Sequence, residues 1–139
     1  MHRLTTFLLS TVISFPLIAA EPKPIENPDR FCEDAKELAS ITAQLPDYAL
    51  SWQADTPVVV LPPLKFDPRA VLSAARGQPV CIAVVIDESG AALDAAAYFP
   101  KRVALSKNER KQVLANQFQP ATHAGVPIKS IMVMKAWLQ

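Results

Sequence analysis

Glycine is scarce in this chain. Gly77, Gly90 and Gly125 are the only three among 139 residues and each stands alone, so no glycine-rich loop is available to cradle a phosphate. Histidine is as rare, with His2 and His123 alone. Two cysteines, Cys32 and Cys81, with a single histidine beyond the first residues do not make up a metal-ligand set. No Ser-His or Cys-His pairing suggests an activated nucleophile, and His123, after a Pro-Ala pair, reads as a turn or surface residue. Charge of one sign is missing too: 14 Lys and Arg stand against 13 Asp and Glu, a balance that gives no reason to expect nucleic acid or an anionic membrane as partner. The expectation is a protein that is not an enzyme, with no cofactor and no small-molecule substrate.

Proline, by contrast, is plentiful at 13 residues, and it punctuates the chain. Met1-His2-Arg3 gives a short positive start, the stretch from Leu4 to Leu17 is apolar, and Ile18-Ala19-Ala20 supplies small residues before Glu21. This is the grammar of a cleaved secretory signal peptide over residues 1–20. Pro16 and the modest length weigh against the alternative, an inner-membrane anchor facing the periplasm, since a spanning helix needs about 20 mostly apolar residues. Residues 21–28, with Pro22, Pro24 and Pro28, read as an extended leader. An even number of cysteines in an exported chain makes a Cys32–Cys81 disulfide the default, contributing about 3 to 4 kcal/mol in the chain-entropy reckoning. Two buried free thiols are the alternative.

Residues 29–65 read as a helix followed by an extended segment. Asn27 or Asp29 can cap a helix through Cys32, Ala35, Leu38, Ala39, Ile41 and Thr42, which Pro46 stops. Glu33 and Asp34 suit its first turn. Tyr48 and Trp52 read as packing residues. Val58-Val59-Val60-Leu61, bracketed by Pro57 and Pro62-Pro63, can join a sheet only at a border. In residues 66–77 Asp67 caps a short helix, Pro68 takes its first position and Gly77 closes it.

The run Val80-Cys81-Ile82-Ala83-Val84-Val85-Ile86 then forms a strand with no polar face: Val80, Ile82, Val84 and Ile86 point one way, Cys81, Ala83 and Val85 the other. Such a strand belongs to a sheet covered on both sides. Glu88-Ser89-Gly90 turns into a second strand, in which Leu93, Ala95, Ala97 and Phe99 should share a face. Ser106-Lys107-Asn108-Glu109 is a capping box opening a helix that should run toward Phe118 and end at Pro120. Lys101, Arg102, Lys107, Arg110 and Lys111 gather before and within it, a solvated face or a site for an acidic partner. Gly125-Val126-Pro127 turns into a last strand. There Ile128, Ser130, Met132, Met134 and Ala136 face one side and Ile131, Val133, Lys135 and Trp137 the other.

The sequence of elements carries a resemblance. Phe66-Asp67-Pro68 with Ala70, Gly77, then Val84-Val85-Ile86-Asp87 with Gly90, Phe118-Gln119-Pro120-Ala121, Gly125-Val126-Pro127 and the final strand together resemble the C-terminal domain of the TonB family, over about residues 66–139. The resemblance implies an α+β domain: a small, mostly antiparallel sheet of about three strands packed with two helices, here carrying an N-terminal helical extension. It also implies a periplasmic protein-binding module whose last strand is an exposed sheet edge, accepting an extended segment of an envelope protein such as an outer-membrane receptor by strand addition. Carried onto this chain, the edge residues are Ile131, Val133, Lys135 and Trp137. The chain departs from the family in lacking the long Pro-rich spacer, in Pro79 before the first strand, in Asn116 where many members have Trp, and in its alanine-rich second strand. The alternative is a structural subunit or adaptor of an envelope or secretion assembly.

Overall fold

A computed structural model describes residues 31–137. The signal peptide expected over residues 1–20, the leader expected over 21–28 and the expected capping residues Asn27 and Asp29 lie outside them. The class is α+β, with a mixed sheet and four helices. In chain order the elements are α1 (Phe31–Asp34), α2 (Lys36–Gln44), β1 (Ala49–Leu50), a 3-10 turn at Ser51–Gln53, β2 (Val59–Leu61), α3 (Arg69–Ala75), β3 (Val80–Ile86) and β4 (Ala92–Phe99). They continue with α4 (Lys107–Leu114), β5 (Gln117–Gln119), β6 (Thr122–His123), β7 (Val126–Pro127) and β8 (Ser130–Ala136).

The main sheet has the order β1-β8-β3-β4. β3 is its hub. It pairs antiparallel with β8 over all seven residues and with β4 on the other side, while β1 adds a short parallel pairing to the start of β8. The sheet therefore has four strands and is mixed, where three were expected. Its two faces follow the alternation of β3. Val80, Ile82, Val84 and Ile86 enter one core with Val71, Leu72, Val113 and Phe118; Cys81 and Ala83 enter a second with Leu38, Tyr98 and Ile131. Small residues on that second face leave room for the N-terminal helices to lie close.

The N-terminal helix is not continuous. Ala35 breaks it with an extended ψ of 128°, separating α1 from α2. Cys32 and Leu38, both buried, are six residues apart and would lie about 120° apart around one unbroken helix. The break lets both face the sheet. Cys32 bonds Cys81 with a Cα–Cα separation of 5.5 Å, the Tyr98 hydroxyl donates to the Cys32 carbonyl at 2.6 Å, and the Phe31 ring meets Phe99 edge-on. Three contacts thus clamp α1 onto β3 and β4.

Several local expectations need correction. In β4 the pairing slips twice, between Val85 and Ile86 and between Cys81 and Ile82, leaving Leu93 and Tyr98 as extra residues opposite β3. Each bulge flips the phase of the strand. Ala95 and Ala97 keep to the first core, but Phe99 joins Tyr98 on the second and Leu93 is turned out to solvent at 51% exposure. Val59–Leu61 does not border the main sheet; it pairs antiparallel with β5 in a separate ribbon. α4 opens on the expected Ser106–Glu109 capping box but ends at Leu114, because Asn116 stops it. Buried Asn116 donates to the Gln112 and Val113 carbonyls and accepts from the Lys65 N–H at 2.8 Å, tying the helix end to the chain before α3. α3 starts one residue later than expected: Pro68 takes the cap position with no side-chain cap and Arg69 the first helical one, while Asp67 accepts from the Arg69 N–H, and Arg76 and Gly77, both at positive φ, close its end. Gly90 is positional: at φ +85°, a Cβ there would run into the Phe118 carbonyl, so the hairpin can pass under β5 only without a side chain.

Candidate binding edge

A sheet of this kind has two outer edges, and they are built differently. The outer edge of β4 is defended. Two bulges interrupt it, and the exposed Asp94 carboxylate accepts the N–H of Ala95 at 2.8 Å while the Arg110 guanidinium holds that same oxygen at 2.6 Å. Bulges and edge charges are how a strand avoids pairing with another chain.

The outer edge of β8 is open over most of its length. β1 covers only Ser130 and Ile131, and no described strand lies beyond residues 132–136. The Ala49 N–H donates to the Lys129 carbonyl at 3.2 Å, so the odd-numbered residues turn their backbone groups toward this side. Beyond β1 the next such residues are Val133 and Lys135. At about 3.3 Å per residue, residues 132–136 offer roughly 17 Å of edge.

This stretch forms one wall of an open groove of about 500 Å³, lined across from it by Val60, Leu61, Pro62 and Leu64. Leu64 is 59% exposed and Leu61 is exposed as well, an unusual concentration of apolar surface beside unpaired backbone. β5 holds the far wall in place through its pairing with β2.

The four residues expected at the edge have different fates. Ile131 is fully buried under the N-terminal helices and lies beside Leu50 of β1. Val133 packs at the margin of that core. Lys135 does not reach into solvent: its Nζ meets both carboxylate oxygens of Glu33 at 3.0 Å, the two side chains only 18% and 19% exposed. Trp137 lies just past the end of β8 and is partly exposed. The edge thus offers backbone rather than side chains at Val133 and Lys135, and β1 closes it at Ile131. Residue-level reading missed the opposite wall. The available signal was the apolar Val58-Val59-Val60-Leu61 run continuing through the prolines to Leu64.

His123 lies on the β6–β7 hairpin, exposed, with Nδ1 3.4 Å from an Asp55 carboxylate oxygen. No cluster of three or more His, Cys, Asp or Glu able to hold a metal occurs among the described residues. No helix among them is long and apolar enough to cross a membrane. Fold and site together define a small disulfide-clamped α+β domain with one guarded and one open sheet edge. Compared with models of protein families, with curated proteins and with solved structures, the chain matches none.

Proposed function

We propose that this protein is a binding module of the cell envelope, similar to the TonB C-terminal domain, that captures an extended segment of a partner protein by adding it as a strand to β8 at residues 132–136. The observation that carries this reading is the asymmetry of the two edges. β4 is bulged and occupied by its own Asp94, whereas β8 leaves Val133 and Lys135 backbone groups facing an apolar groove. Strand addition draws affinity from main-chain hydrogen bonds and selectivity from pockets for alternate side chains. The groove wall of Leu61 and Leu64 supplies such a pocket for apolar side chains. The Cys32–Cys81 disulfide fits export to the oxidising periplasm after removal of a signal peptide. An adaptor role for the N-terminal helix is less well supported, because the apolar residues Leu38, Ile41 and Leu45 are already used against the sheet.

A proline at Val133 removes one outward N–H without disturbing the inner pairing to β3. A photo-crosslinking residue at Leu64 should trap a discrete envelope protein in the wild type. The Val133→Pro background should lose that product while keeping its cooperative melt, and a crosslinker at Ala96 on the β4 edge should give none. Identical products from the wild type and the proline variant would sink the proposal.

A further inference from the structure

The charge balance that gives no overall reason to expect an anionic partner conceals a local imbalance. Between Lys101 and Lys111 five cationic side chains stand against one carboxylate, Glu109, which is turned back into the capping box at the Ser106 N–H. All five cationic residues are exposed. Arg102 reaches the Ala75 carbonyl at 3.1 Å, bringing this strip against the end of α3 and its Arg76, and Arg110 reaches Asp94 on β4. Lys107 and Lys111 are one helical turn apart and point away from buried Val113. No described carboxylate pairs with Lys101, Lys107 or Lys111.

We propose that this strip docks the domain on an anionic lipid bilayer surface. Two features of the strip favour a bilayer over a polyanion read in detail. Residues 101–111 contain no aromatic side chain on which a base or sugar could stack, and Lys107, Arg110 and Lys111 sit on the convex outer surface of α4, with Lys101 and Arg102 in the turn before it. The β4 bulge also presents Leu93, half exposed, beside Asp94 and Arg110, an apolar contact of the kind that accompanies cations at a headgroup layer. β4 is the last strand of the sheet on the side away from β8, so a domain docked through this strip keeps its open edge free.

The test uses the purified full chain without its first 20 residues and vesicles of phosphatidylcholine alone or mixed with phosphatidylglycerol. Co-sedimentation should occur only with the mixed vesicles and should weaken as salt is raised. Glutamine at Lys101, Lys107 and Lys111 should reduce binding by roughly fivefold for each lysine removed, about a hundredfold for all three, with the melting transition retained. Equal binding to both vesicle types, no binding to either, unchanged binding by the triple variant, or capture of a poly-glutamate peptide in place of vesicles would each overturn the proposal. None of these outcomes bears on strand capture at β8.

Discussion

Tyr98 shows how one residue joins the two halves of the second core. The bulge before Phe99 brings its ring under α1, where the hydroxyl donates to the Cys32 carbonyl at 2.6 Å. Burial, with smaller contributions from the Glu33 and Glu37 carboxylates, pushes its pKa well above the usual 10.0. A raised folded-state value means that the stabilisation is complete below the ordinary tyrosine value and is lost as pH rises toward the folded one. Tyr98→Phe should cost about 1 to 2 kcal/mol at neutral pH, through the unpaired carbonyl. The gap between the wild type and Tyr98→Phe should narrow above about pH 10, read as melting temperature against pH. A constant gap would contradict the assignment. Asp87 behaves in the opposite sense: the Ser89 hydroxyl and the Ala91 N–H bond its carboxylate and hold its pKa below the ordinary 3.8, so what it contributes to the hairpin is kept at neutral pH and lost only in acid.

Among the elements, β3 was the most legible from sequence and β4 the least. β3 is buried on both faces, so each residue had to be apolar and the alternation survived unaltered. β4 has small side chains that fit either face, and nothing in Leu93, Ala95, Ala97 and Phe99 marks where an extra residue enters. The bulge at Tyr98 goes with the fit of Tyr98 and Phe99 against α1, a contact with residues more than sixty positions earlier. The same element carries a prediction. Asp94→Ala releases the Ala95 N–H and the Arg110 guanidinium, and should raise concentration-dependent self-association relative to the wild type in sedimentation velocity. Unchanged sedimentation across concentration would show that the bulges alone guard this edge.

At the scale of the molecule, the disulfide, the Tyr98 hydrogen bond, the Phe31–Phe99 contact and the Glu33–Lys135 ion pair help fasten the N-terminal helices to the sheet. Replacing both cysteines by serine should lower stability by about 3 to 4 kcal/mol, with roughly 4 °C or more of melting temperature lost per kcal/mol. Alkylation of the unfolded, unreduced protein should label no thiol. Because Glu33 of α1 also pairs with Lys135 beside the open edge, the cysteine variant should weaken capture at β8 as well as stability, a coupling that calorimetric melting and crosslinking yield at Leu64 would resolve together. Unaltered crosslinking in a destabilised variant would show the edge to be independent of the clamp.

By itself the sequence determined the α+β class, the hub strand with its two apolar faces, the capping box and the hairpin turn after the hub strand, because each is a local pattern of side-chain period or cap chemistry. Its cysteine count made the Cys32–Cys81 bond the default beside two free thiols, a choice the structure decided. Only the tertiary structure decided which backbone groups were left without a partner. β1 is two residues long and nothing in Ala49-Leu50 announces a strand; it exists because β8 lies beside it, and where it stops defines where the open edge begins. The far wall of the groove likewise depends on β2 finding β5 some sixty residues later. Unpaired hydrogen-bonding groups are a property of what surrounds a strand, and the sequence of the strand does not contain its surroundings.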